Sequence, residues 1–344
     1  MVNKKCANCG GMYEYNPKNK ALKCVNCGSL KAIKSDLNIQ SHNYLKEHEG
    51  YDNAWAKDVR QVKCESCGAV VVLNKFSIMN KCSYCGNTSL VDVKENAQVS
   101  PDSVIPFQFD RTEALTHFQE GLRKKHFIPN ALKKKAPNVN LSSNYIGSYI
   151  FTGKASVKYS GVLEYETTST NSKGETETHY HTKRVSGTTM HIFNNRAYEC
   201  STMLNQEELL HILPYNLKEQ KGYKPEYLLG SSAEYSDKSV KVANNQLEYD
   251  LKVEITNNIL IKYNCDRVKT LDLTIAYEQK DYVYCLLPTY VFNYKYKNKD
   301  YKTFMNGQTG KLGGNVPIST VKITFFVLFI LALIAGIVGL ILFI

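Results

Sequence analysis

The chain lacks the short motifs that mark the common nucleotide- and ester-processing enzymes. No Gly-x-x-x-x-Gly-Lys-Ser/Thr occurs. Its nearest approach, Gly307-Gln308-Thr309-Gly310-Lys311, has the wrong spacing and no hydroxyl after the lysine. There is no Gly-x-Ser-x-Gly for a nucleophile elbow and no His-Glu-x-x-His for a zinc-protease helix. We therefore read no enzyme from these residues. Nothing at the N-terminus resembles a signal peptide, so the expected compartment is reducing and disulfides are disfavoured. Tryptophan is nearly absent, with Trp55 the single example. Charge is missing altogether from residues 323–344.

Cysteine, in contrast, is patterned. Eight of the eleven fall into four Cys-x-x-Cys pairs: Cys6 and Cys9, Cys24 and Cys27, Cys64 and Cys67, Cys82 and Cys85. Fourteen residues separate the two pairs in each half, and the second half repeats the first at a shift of 58. A lysine precedes every pair (Lys5, Lys23, Lys63, Lys81) and a glycine follows it (Gly10, Gly28, Gly68, Gly86). Two residues between cysteines let a tight turn aim both sulfurs at one point, and the glycine permits the backbone that turn needs. Two such knuckles supply four thiolates to one tetrahedral ion, a closed structural site with no open position for catalysis. We expect two structural Zn2+ ions, one on Cys6, Cys9, Cys24 and Cys27, the other on Cys64, Cys67, Cys82 and Cys85. Iron, as in rubredoxin, disulfides, and redox pairs are the competing uses of such cysteines. Each half is too short for a core of its own, so the metal supplies much of its folding energy. These halves resemble zinc ribbons, the four-cysteine hairpin modules of transcription factors, RNA polymerase subunits, ribosomal proteins and primosomal helicases.

The net charge is +11. Residues 1–95 hold 14 Lys and Arg against 9 Asp and Glu, a net +5. Four thiolates less one divalent cation give −2 per site, leaving +1 with both sites loaded. That is a poor electrostatic footprint for a dedicated DNA-binding module. The basic excess lies elsewhere, in Arg123-Lys124-Lys125 and Lys133-Lys134-Lys135. Such runs are solvated faces or contacts for anionic lipid headgroups.

We expect an α+β fold of five parts: a first ribbon over residues 1–34, a linker over 35–61, a second ribbon over 62–93, a Tyr-rich domain over 103–316, and a transmembrane helix over 323–344. The linker holds Trp55 and one short helix near residues 44–57, so the ribbons should behave as two separate beads. In the Tyr-rich domain, Ile105-Pro106-Phe107-Gln108-Phe109 reads as a strand. Asp110 reads as the N-cap of a helix to about His126 that packs Ala114, Leu115, Phe118 and Leu122 inward. Tyr149-Ile150-Phe151, Ala155-Ser156-Val157-Lys158-Tyr159 and Val162-Leu163-Glu164-Tyr165-Glu166 read as strands separated by turns, with a hairpin tip over residues 167–177. Two further alternating stretches are Leu251-Lys252-Val253-Glu254-Ile255 and Thr270-Leu271-Asp272-Leu273-Thr274-Ile275, followed by an aromatic run over residues 282–296. Lys224-Pro225-Glu226-Tyr227-Leu228-Leu229-Gly230 reads as a loop or short helix. Ile146-Gly147-Ser148-Tyr149-Ile150-Phe151 is echoed by Leu287-Pro288-Thr289-Tyr290-Val291-Phe292, as if each of two halves offered a sheet. His179 and His181 share one face of a strand, without an evident third metal ligand. Cys200, Cys265 and Cys285 have no partner at a catalytic spacing.

Residues 323–344 would span about 33 Å as a helix, enough for the hydrocarbon core of a bilayer. Lys311 and Lys322 flank the span and should stay cytoplasmic, giving a single-pass, tail-anchored cell-membrane protein with its N-terminus in the cytoplasm. Ala332 with Gly336, and Ala335 with Gly339, are small pairs through which two spans could associate.

The whole order resembles a family of uncharacterised bacterial tail-anchored proteins. Two four-cysteine ribbons precede a Tyr-rich domain holding Pro225-Glu226-Tyr227-Leu228-Leu229-Gly230 and ending in Phe304-Met305-Asn306-Gly307-Gln308-Thr309-Gly310-Lys311, and one span follows. Members are labelled zinc-ribbon proteins, phage replication proteins or primosomal protein N′-like. Relatives tend to be encoded beside flotillin-like SPFH-domain membrane scaffolds. The resemblance implies a membrane adaptor that recruits a cytosolic protein, a flotillin-like scaffold being one candidate. Nucleic-acid binding, of phage replication or primosome type, is the alternative; the near-neutral loaded ribbons weigh against it.

Overall fold

In the computed structural model, residues 5–34, 38–46, 59–74, 81–93, 99–170, 174, 176–200, 204–234, 236 and 238–343 are described. Trp55 and the helix expected around residues 44–57 lie outside them, apart from residues 44–46, which form a turn. The fold is mixed α+β and mostly strand, with five α-helices among the described residues.

Two strands of exceptional length form the spine. Strand β9 (Val139–Thr170) and strand β13 (Arg267–Tyr296) pair antiparallel along nearly their whole length. The three short strands expected over residues 149–166 are therefore one continuous strand. Gly153 and Gly161 do not break it; they admit the neighbouring chain. A Cβ at Gly153 would lie 2.2 Å from the Gln279 carbonyl oxygen, and one at Gly161 would lie 2.3 Å from that of Thr270. Bulges in β13 fall beside these points, between Val268 and Thr270 and between Tyr277 and Gln279. Glycine in a strand marks such a close approach as readily as a turn. The echoed segments are adjacent strands of one sheet, with Ile146 directly opposite Leu287, and do not belong to two sheets.

On its other edge β9 pairs with β10 (Thr176–Glu199) and, in parallel, with β12 (Ser232–Glu234). The other edge of β13 holds β4 (His42–Asn43), β8 (Ser103–Val104) with β11 (Lys221–Gly222), and β14 (Lys299–Asn306) with β15 (Leu312–Gly314). The stretch expected as a strand at residues 105–109 is buried irregular chain instead, with the ladder two residues upstream. Pro106 has no N–H to give a ladder. Only the Ile105 amide continues the pairing, to the Leu286 carbonyl at 2.9 Å.

Helix α1 (Arg111–Lys124) begins at Asp110, whose carboxylate accepts from the Thr112 and Glu113 amides in a full capping box. Ala114, Phe118 and Leu122 are buried, and Phe118 stacks on Phe292 at 4.2 Å. Leu115, expected inside, is 40% exposed because the sheet covers only the stripe through those three. Two short helices follow, α2 (Asn130–Lys134) and α3 (Gln206–Ile212).

Helix α4 (Val240–Tyr263) corrects a second reading, since residues 251–255 lie within it. Their alternation is a fragment of a helical stripe, Val240, Ala243, Leu247, Leu251, Ile255 and Ile259, that covers one face of the β9, β10 and β13 ribbon. Lys280 is buried beneath this helix. Its ammonium lies 3.5 Å from the Tyr277 ring centre and donates to Glu248 at 2.5 Å and Asn244 at 2.9 Å. Burial pushes its pKa below the ordinary lysine value, and Glu248 only partly restores it.

Helix α5 (Thr320–Phe343) carries the uncharged run. Residues Thr320–Val338 are long and apolar enough to cross a membrane, and none of that stretch is buried against the protein.

Candidate metal centres

The four cysteine pairs fold as four copies of one knuckle. The glycine amide after each pair donates to the first cysteine's carbonyl: Gly10 to Cys6, Gly28 to Cys24, Gly68 to Cys64 and Gly86 to Cys82, at 2.8 to 3.0 Å. The first cysteine's amide in turn donates to the carbonyl of the residue just beyond that glycine, Gly11, Ser29, Ala69 and Asn87, at 2.7 to 2.9 Å. All four glycines have φ between +72° and +76°, where a Cβ would be strained. Hence the glycine after each pair is a geometric requirement of the turn.

The knuckles sit on short antiparallel hairpins. The first module has β1 (Tyr13–Asn16), β2 (Ala21–Cys24) and β3 (Leu30–Ala32). The second has β5 (Val59–Cys64), β6 (Val70–Asn74) and β7 (Leu90–Val93). Cys6, Cys9, Cys24 and Cys27 converge, as do Cys64, Cys67, Cys82 and Cys85, with the four sulfurs of each group within 4.8 Å of one another. Sulfurs 2.3 Å from a tetrahedral ion lie about 3.8 Å apart. Here Cys6 to Cys27 and Cys9 to Cys24 are 3.5 Å, Cys64 to Cys85 is 3.6 Å and Cys67 to Cys82 is 3.7 Å. The donor set and spacing therefore fit a metal ion in both places.

One cysteine of each knuckle (Cys6, Cys24, Cys64, Cys82) is buried and the other reaches solvent. Thiols so crowded cannot all ionise without a cation. In the first group, the Ser29 hydroxyl lowers Cys6 to about 5, against the effect of burial. At Cys9 the Gly11 amide favours the thiolate, but neighbouring Cys27 and Cys24 outweigh it and push the pKa up to about 12. In the second group, burial raises Cys64, but the Cys67 and Ser66 amides prevail and lower it to about 7. Burial holds Cys67 and Cys82 up at about 12. A divalent ion held by the four cysteines would relieve this conflict by stabilising every thiolate. Ser29, 3.0 Å from Cys6 and 3.2 Å from Cys27, carried no signal in the cysteine spacing.

The modules differ in how they join the body, and neither is a free bead in the described residues. The second is built into the large sheet, because β6 pairs with β12 through Val71, Val72 and Leu73. Those side chains are at most 2% exposed. This apolar strand is thus packed inside. The knuckle itself is tied down: Ser83 bonds Ser232 at 3.1 Å, and the Ser83 carbonyl accepts from Ser142 at 2.8 Å and Asn293 at 3.2 Å. Tyr84 donates to buried Glu234, and the Lys302 ammonium lies 4.4 Å from the Tyr84 ring centre.

The first module rests on the Pro225–Leu228 turn and the two residues after it. The Tyr15 amide donates to the Leu229 carbonyl at 2.9 Å, Leu229 packs beside Tyr13 and Leu22, and the Tyr15 and Tyr227 rings are 5.5 Å apart. Gly230, at φ +85°, leaves room for Glu14, which a Cβ would approach to 3.1 Å. Lys18 reaches Asp110 and Glu113 at the start of α1, at 3.1 and 3.2 Å. The Pro-Glu-Tyr-Leu-Leu-Gly stretch is therefore a cradle for the first cysteine module.

The remaining candidates stay apart. His179 lies 3.1 Å from the Ser169 hydroxyl and His181 stacks on Tyr165, and neither joins a metal-ligand group among the described residues. Cys200 and Cys285 are fully buried, and burial pushes Cys285 up to about 12.

No family model matches the chain, and no solved structure matches it. The chain is similar to Uncharacterized protein YdjG of Bacillus subtilis (strain 168), at 23% identity over 334 residues, covering 94% of this chain and 92% of that protein.

Proposed function

We propose that the protein is a membrane-anchored adaptor whose two cysteine modules hold structural Zn2+ and present a recruitment surface to a cytosolic protein. The observation that carries this reading is the placement of the first module relative to α5. Ribbon 1 is fixed at the Asp110 end of α1, while the start of α5 is fixed just past its Lys124 end. Fourteen helical residues separate those points by about 21 Å. A four-thiolate site with no open position suits scaffolding and not catalysis. Val25 and Leu30 on this module are 55% and 53% exposed, which offers a partner apolar contact beside the metal. The basic flank of α5 favours a cytoplasmic placement for everything N-terminal to it. A flotillin-like scaffold is the partner class that the family resemblance suggests.

The test is a crosslinked pull-down from membranes, comparing the wild type with Val25→Asp/Leu30→Asp. The adaptor reading expects a protein partner recovered by the first and lost by the second, with both fractionating to the membrane. Recovery of nucleic acid by both, falling steeply with salt, would favour the nucleic-acid reading.

A further inference from the structure

The two basic runs are distant from residue 323 in sequence but not in space. Immediately after α1, the Phe127 carbonyl accepts from the Ser319 amide at 2.8 Å, and the Ile128 carbonyl accepts from the Lys322 ammonium at 2.7 Å. The Phe127 ring packs edge-on against Phe326, 5.4 Å between centres. Phe326 belongs to the uncharged run, so this loop is pinned at the level where that run begins. Helix α2 is held against the end of α1 by Arg123 and Gln119, which donate to the Lys133 carbonyl at 3.1 and 2.9 Å. Arg123, Lys124, Lys125, Lys133, Lys134 and Lys135 therefore flank, on the end of α1 and on α2, the loop that touches α5, and Lys322 lies in the first turn of α5 itself. No acidic residue occurs between positions 121 and 138, and none of these seven forms an ion pair among the described residues. Exposed Phe127 and Ile318 supply apolar groups at the same level.

We propose that this α1–α2 face is a docking surface for anionic phospholipid headgroups, which seats the cytosolic domain on the bilayer in one orientation. This rests on reading α5 as a membrane span. A cation near an anionic leaflet strengthens attraction roughly fivefold each at physiological salt, within a Debye length of the surface. Seven cations around one anchor form such a patch, and flanking aromatic and aliphatic side chains suit the interfacial layer.

The full-length protein is reconstituted into nanodiscs of phosphatidylcholine alone or with phosphatidylglycerol, and lysine acylation is read by peptide mass spectrometry. Lys124, Lys134 and Lys135 should react several-fold more slowly in discs containing phosphatidylglycerol, with the difference abolished at high salt and absent at Lys23. A Lys124→Gln/Lys134→Gln/Lys135→Gln variant should enter discs normally and lose the wild type's enrichment of phosphatidylglycerol on detergent extraction. Incorporation with equal lysine reactivity in both discs, or unchanged enrichment in the variant, overturns the surface alone. Failure to enter discs overturns the span reading and the surface with it. Protection of these lysines by a DNA duplex on phosphatidylcholine discs, with none from phosphatidylglycerol, overturns it in favour of a nucleic-acid surface.

Discussion

Because the two modules join the body so differently, removing their metals should have unequal effects. Consider Cys67→Ser/Cys85→Ser against Cys9→Ser/Cys27→Ser, each pair the solvent-facing ligands of its site. In the second module Val62, Val71, Leu73 and Tyr84 are each at most 4% exposed, on β5, which ends at Cys64, on β6, and between Cys82 and Cys85. Burying such a side chain contributes about 1.5–3 kcal/mol. Releasing the module would therefore cost on the order of 6 kcal/mol, and β6 would also leave β12 open. That is comparable to the whole stability of a typical domain. The first module leaves behind one backbone hydrogen bond, one aromatic pair, Leu229 and the exposed Lys18 pairs to Asp110 and Glu113, together about 4 kcal/mol. Thermal unfolding is followed by near-ultraviolet tyrosine circular dichroism in detergent, with metal content measured in parallel. The Cys67/Cys85 variant should lose the main transition or lower it by more than about 10 °C. The Cys9/Cys27 variant should keep that transition within about 5 °C and become protease-sensitive only before Ile33. Equal losses in the two variants, or loss of both metals from either, would refute the asymmetry.

Gly230→Ala should loosen the first module selectively by about 1–2 kcal/mol, because its φ of +85° is strained for any Cβ and Glu14 stands in the way; faster amide exchange at Tyr15 with an unchanged main transition is the readout. Lys280→Met should lower the Tm at neutral pH, because buried Asn244 and the Glu248 carboxylate lose the ammonium that donates to both, and the difference should depend on pH through the lysine. The sign follows from its lowered pKa: the folded protein binds the proton less well than the unfolded chain. The wild type should therefore gain stability relative to Lys280→Met as pH rises through the folded value toward the ordinary lysine value. Truncation after Ser319 should move the protein from the membrane to the soluble fraction; continued pelleting with membranes would assign the attachment to something other than α5.

The cysteine groups were legible because metal geometry imposes local spacing, and each knuckle closes within six residues. The apolar helix and the Asp110 cap were legible for the same reason, since both are written in contiguous residues. What sequence missed is non-local. Glycines at 153 and 161 look like turn residues until the neighbouring strand that crosses them is known. Five residues at 251–255 fit a strand, but the 24-residue stripe containing them fits a helix. The docking of the cysteine modules depends on Ser83, Glu234, Leu229 and Asn293, which are scattered across more than 200 positions. A polar linker suggested two beads, yet His42 and Asn43 within it pair with β13, and Val59 already begins β5.

Metal analysis of the purified full-length chain tests the arrangement most directly. Two zinc ions per chain are expected, falling to one in the Cys9→Ser/Cys27→Ser variant. Iron in their place, or a metal-free chain that still shows the cooperative main transition, would contradict it.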